Sequence, residues 1–75
     1  METYSDKLRS ALGSGLSQEK LATRINRSQA AVSRYAAAIR FPDAETARLI
    51  DEATDSAVPF ALWQAEAMRR LGIEA

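Results

Sequence analysis

Between Gln18 and Ala37 the chain carries two stretches of helical pattern separated by only three residues, Asn26-Arg27-Ser28, and no proline interrupts either one. Two helices joined by so short a turn must cross steeply, and where they cross only a small side chain fits. Ala22 supplies it. Leu21, Ile25, Val32 and Tyr35 are apolar where the two helices meet each other and the rest of a core.

The remainder reads as helix too. Alanine is abundant, β-branched runs are absent and no stretch alternates apolar with polar residues. Five short helices fit. Thr3, followed three residues later by Asp6, is a cap-like start for a first helix whose face carries Tyr4, Leu8, Ala11 and Leu12, and Gly13-Ser14-Gly15 ends it. Ser17 caps the second, Glu19 sits near the positive end of its dipole, and Asn26, which tolerates the left-handed conformation, stops it. Ser28 caps the third, in which Val32 and Tyr35 face inward while Gln29, Ala30, Ser33, Arg34 and Ala37 face out. Beyond Pro42, Asp43 caps a fourth helix with Ala47, Leu49, Ile50 and Ala53. Pro59 then opens a fifth, with Phe60, Trp63, Ala67, Met68 and Leu71 on one apolar face and Gly72 as its stop. No repeat, linker or low-complexity segment intervenes, so residues 1–75 are expected to form one all-α domain with 58–75 as its C-terminal helix.

Seventy-five residues cannot hold two ordinary domains, and a single small core buries about 60% of the unfolded surface. Without Cys or His, a Cys/His zinc site, a disulfide framework, a thiol nucleophile and an imidazole acid/base are excluded. No nucleophile elbow, Walker loop or dinucleotide loop appears either, and neither an enzyme nor a cofactor is expected. Asp51, Glu52 and Asp55 lack a nearby His or calcium-loop spacing and read as a solvated helix face, not a metal site. The longest apolar run, Ala57 to Trp63, is seven residues and contains Pro59, far short of a membrane span. Glu2 and Asp6, with no apolar stretch behind them, do not read as a signal peptide; a cytoplasmic protein is expected.

The zero net charge conceals a sorted chain. Residues 1–41 carry Lys7, Arg9, Lys20, Arg24, Arg27, Arg34 and Arg40 against Glu2, Asp6 and Glu19, leaving +4. Residues 42–68 carry Arg48 against six carboxylates, leaving −5. Such sorting suits a basic surface on the first half that meets an anionic partner, although a mixed solvated surface has the same composition.

Helices 2 and 3 in this arrangement have the geometry of a helix-turn-helix, whose second helix lies in the DNA major groove. The sequence resembles the Cro/CI-type (XRE) repressors in Leu16-Ser17-Gln18-Glu19-Lys20-Leu21-Ala22, Ser28-Gln29, Val32-Ser33-Arg34, Pro42 and Glu45-Thr46, without a gap from Leu16 to about Ile50. The resemblance implies a five-helix, lambda-repressor-like domain that binds operator DNA as a symmetric dimer. By position it assigns Gln29, Ala30, Ser33 and Arg34 to bases, and Gln18, Arg27 and Arg40 to or beside phosphate. There are departures. The usual turn glycine is Asn26, the apolar turn residue is Arg27, and the glycine that commonly ends the recognition helix is Ala38, which implies a longer third helix. Many relatives also pair an Arg of helix 1 with a Glu at the position of Ala36, and neither partner is expected here.

Side-chain chemistry separates the contacts independently. The fork of Arg34 pairs with guanine O6 and N7, and Gln29 pairs with adenine N6 and N7, each discriminating by roughly 1–3 kcal/mol. Ala30 and Ala37 offer only methyl contact or close approach. Arg27, Arg40, Lys20 and Ser28 around the rim suit phosphate, as does Gln18 at a helix N-terminus, and carry no base information. The plainer reading of each is an ordinary solvated residue, and for Lys20 and Arg24 it is the stronger one.

Trp63, with Phe60, Met68 and Leu71, is core first, yet helix 5 is longer than needed to cover four short helices. Its surplus face, with Trp63, Met68 and Leu71, suits a homodimer that sets two recognition helices about 34 Å apart. Two functions follow: a Cro-like repressor acting by operator occupancy with no small-molecule effector, or an antitoxin-like interaction module whose helix 5 holds a protein partner and whose DNA binding is autoregulatory.

Overall fold

The computed structural model describes residues 2–71, and of Leu71 the backbone alone; the expected stop at Gly72 lies outside the described residues. The chain runs α1 (Tyr4–Leu12), α2 (Gln18–Ile25), α3 (Gln29–Ala36), α4 (Ala44–Ala53) and α5 (Phe60–Leu71), with no strand among the described residues. This is the all-α, lambda-repressor-like fold that the resemblance implies.

Four of the five starts are set by the expected caps. Thr3 accepts from the Asp6 amide while Asp6 accepts from the Thr3 amide, a reciprocal capping box. Ser17, Ser28 and Asp43 accept from the amides of Lys20, Ala31 and Thr46. The fifth start is made differently. Asp51, eight positions before Pro59 and read above as part of a solvated acidic face, turns back across the α4–α5 turn. Its Oδ2 accepts from the Phe60 amide at 2.7 Å and its Oδ1 from the Ser56 hydroxyl at 2.7 Å. The turn that permits this carries Asp55 and Ser56 at φ 55° and 65°, which no spacing rule announces.

The core is contributed mainly by α1 to α4. Tyr4, Leu8, Leu21, Ile25, Val32, Ile50 and Val58 are fully buried, with Ala22, Tyr35 and Ala36 packed among them. Each large aliphatic side chain so buried is worth about 1.5–3 kcal/mol of transfer free energy. Thr46, Ala36 and Val58 belong to this interior and had no place in the expected stripes. α5 lies across the assembly as a half-buried strap. Trp63 stacks between Phe41 and Phe60 at 5.6 and 5.2 Å, and its Nε1 donates to the Pro42 carbonyl at 2.8 Å. Glu66 accepts from the Tyr4 amide at 2.9 Å and from Arg70, whose guanidinium also lies 4.2 Å over the Phe41 ring.

Two expectations are corrected. α3 does not run long. It ends at Ala36, and Ala38 takes the left-handed conformation (φ 62°) in which a glycine is usual, while the amides of Ala38 and Ile39 return to the carbonyls of Tyr35 and Arg34. The closing geometry is that of a Schellman motif built on alanine. Nor is helix 1 without an arginine link to α3: Arg9 donates from Nη1 to the Ala36 carbonyl at 2.6 Å, a backbone acceptor in place of a glutamate side chain.

Candidate nucleic-acid interface

The α2–α3 turn is closed by Asn26, which takes φ 57° and ψ 47°. Its amide and that of Arg27 return to the carbonyls of Thr23 and Ala22 at 3.3 and 3.0 Å. These bonds end α2 sharply, Ser28 restarts the helix two residues later, and Ala22 is buried where the two helices meet. With Val32, Tyr35 and Ala36 turned into the core, the opposite face of α3 is presented outward. Gln29, Ala30, Ser33, Arg34 and Ala37 are all exposed.

The stretch of chain that carries that face is uniform in sign. After Glu19 no carboxylate occurs until Asp43, whereas Lys20, Arg24, Arg27, Arg34 and Arg40 all fall between them. The fold then sorts these cations. Arg24 donates to the Ala53 carbonyl at 3.1 Å, tying α2 to the end of α4. Arg27 is folded back: its Nη1 donates to the carbonyls of Ile25 and Asn26, and its Nη2 lies 3.5 Å from Glu45 Oε2. Lys20, Arg34 and Arg40 are exposed, and among the described residues their side chains have no partner within the protein. Exposed cations with no internal partner keep their full charge and donor set for an external anion.

Gln18, the first residue of α2, is half-buried in an open groove of about 480 Å³, where it is joined by Arg9, Leu12, Ser33 and Ala37. The groove brings the start of α2 beside the middle of α3, so Gln18 and Ser33 share one edge of the exposed face. Ser28 spends its hydroxyl oxygen on capping and retains its proton for donation. At the far end of the face stands Ile39, 76% exposed just beyond the left-handed Ala38, a residue that sequence reasoning passed over. Of the expected dimer residues, Trp63 is engaged by Phe41, Phe60 and Pro42, Met68 is exposed, and the side chain of Leu71 lies outside the described residues.

An outward helix fastened across a second one by a three-residue turn, with no carboxylate of its own and free cations beside it, defines a helix-turn-helix DNA-binding protein. A family model described as helix-turn-helix matches residues 8–59, more than half of the chain, and the protein belongs to that family, of the Cro/CI (XRE) type. It is a DNA-binding transcription regulator, and double-stranded DNA is the partner that membership implies. No curated protein and no solved structure matches the chain. No helix among the described residues is long and apolar enough to cross a membrane.

Proposed function

We propose that the protein is a Cro-like repressor that binds a palindromic operator as a homodimer and acts by occupying it. The observation that carries this reading is the outer face of α3, where Arg34 and Gln29 stand exposed with no partner among the described residues. Arg34 reads a guanine, Gln29 an adenine, and Ser33 and Ala30 approach closely enough to sense a neighbouring base edge or thymine methyl. Lys20, Arg40, Gln18 and Ser28 hold phosphates along the rim. Arg27 reaches phosphate only by leaving Glu45, so in the free protein it serves the turn first. Exposed Met68 supplies the apolar contact between protomers. The antitoxin-like reading needs Trp63 and Phe60 to be offered to another protein, and their stacking within the fold speaks for the repressor instead.

The test is selection of bound sequences from random duplex DNA at a stated salt concentration, followed by two variants. Arg34→Ala is expected to cost roughly 1–3 kcal/mol on the selected site and to blur one base position. Arg40→Ala weakens all duplexes alike and flattens the salt slope by about one. Equal losses on every sequence for both variants overturn the assignment.

A further inference from the structure

We infer that Arg9, which no base or phosphate assignment includes, is a positioning residue: it holds the C-terminal end of the recognition helix and thereby sets the base that Arg34 reads. The inference rests on the DNA-reading role of α3 proposed above.

The last carbonyls of a helix lack intrahelical donors. In α3 most are met locally: Ser33 by the Ala37 amide, Arg34 by those of Ile39 and Arg40, Tyr35 by that of Ala38. Ala36 is the exception. Its carbonyl receives Arg9 Nη1 at 2.6 Å from a helix 27 positions earlier in the chain. A cation at this point also meets the negative end of the α3 dipole.

Arg9 is itself held. Its Nη2 donates to Asp6 Oδ1, and Asp6 Oδ2 accepts from the Thr3 amide at 3.1 Å. The Thr3 amide and hydroxyl, together with Arg9, keep the Asp6 carboxyl below its usual range. A continuous relay thus runs from the first turn of α1 through Asp6 and Arg9 to the end of α3.

The two ends of α3 are secured by different means. At its start the helix is fixed by the Asn26 turn and the Ser28 cap, both local in sequence. At its end the closing residue is a left-handed alanine, an unfavourable choice, and the long-range bond is the one from Arg9. Arg34 lies two residues before Ala36, whereas Gln29 begins the helix. A bidentate contact to a guanine edge tolerates little displacement, so release of the far end falls on Arg34 and spares Gln29.

The experiment compares wild type, Arg9→Ala and Arg9→Lys in duplex selection at several salt concentrations, with the folded fraction of each followed by circular dichroism. Arg9→Ala is expected to reduce discrimination at the base pair read by Arg34 by roughly tenfold while leaving that at Gln29 intact and the salt slope unchanged. Arg9→Lys, which keeps a cationic donor within reach of the Ala36 carbonyl, restores part of it. Should Arg9→Ala fold poorly, Asp6→Asn loosens the same relay and is expected to show the same one-sided loss in weaker form. A uniform loss on all sequences with a salt slope smaller by one makes Arg9 a phosphate contact and overturns the inference. An unchanged consensus with equal relative affinities at both positions overturns it as well. A wild type that selects no duplex sinks the DNA-reading role itself, which is a separate outcome.

Discussion

Ala38 carries a backbone conformation that its side chain opposes. At φ 62° the Cβ crowds the following carbonyl, at a cost of roughly 1–2 kcal/mol that a glycine avoids. Ala38→Gly is therefore expected to raise stability by about 1 kcal/mol, net of the larger entropy of an unfolded glycine, read as a higher urea midpoint with unchanged m-value. The opposite result would mean that the turn relaxes in solution. Tyr4 carries a second unfavourable feature, a phenolic hydroxyl buried without a partner among the described residues. Burial first, and then the charges of Asp51, Tyr35 and Glu66, push its pKa above the usual phenol value of 10. Because the folded value is the higher one, the stability tied to the neutral phenol is complete below pH 10 and is lost as the pH rises beyond it. Tyr4→Phe is expected to be neutral or stabilising at pH 7 and to remove the Tyr4 share of any fall in melting temperature at pH 11, which thermal scans at the two pH values will show.

At the level of elements, the helix starts differ in how far apart their parts lie. Thr3 with Asp6, Ser17, Ser28 and Asp43 each act within three residues, so the caps were legible in the sequence. The Asp51 cap spans nine residues across a turn with two positive φ angles, and local pattern alone made it a solvated carboxylate. The Phe60 amide, then the Ser56 hydroxyl, hold the Asp51 carboxyl below its usual value of 3.8. A depressed carboxylate gives its stability above the unfolded value and loses it as pH falls through the folded one. α5 is thus expected to loosen below roughly pH 4 while staying docked above roughly pH 5. Trp63, the sole tryptophan, reports this directly: its fluorescence should shift over that range in wild type and shift less in Asp51→Asn. A pH-independent signal would detach the cap from the docking of α5. This helix begins where the family match at residue 59 ends, and specific bonds to α1, α4 and the α3–α4 loop hold it in place.

For the molecule as a whole, the Cα radius of gyration of 11.5 Å is close to the roughly 11 Å of a compact chain this long. The principal extents are 36 × 20 × 20 Å, so one protomer presents a single short recognition helix. In the homodimer proposed above, two such surfaces stand about one DNA turn apart. Substitution of exposed Met68 by Asp is expected to weaken operator binding tenfold or more, by roughly 1.4 kcal/mol, and to leave the melting temperature of dilute protein nearly unchanged. Sedimentation in the presence of operator DNA provides the check, and a two-protomer complex that persists in the variant moves the contact elsewhere.

What the amino-acid order determined by itself was everything local: five helices, the caps of the first four, the Asn26 turn, the buried stripe of Leu21, Ala22, Ile25, Val32 and Tyr35, and the outward row from Gln29 to Ala37. Helical period and capping act over three to seven residues, and the chain states those relations openly. Tertiary structure decided which charges remain available. Arg24 and Arg27 stand in the same basic run as Arg34 and Arg40, yet the fold brings the Ala53 carbonyl to the first and Glu45 to the second. It also gave the Ala36 carbonyl to Arg9 and the Phe60 amide to Asp51. Such pairings depend on where helices lie in space, and a charged side chain takes whichever partner packing sets within about 3 Å.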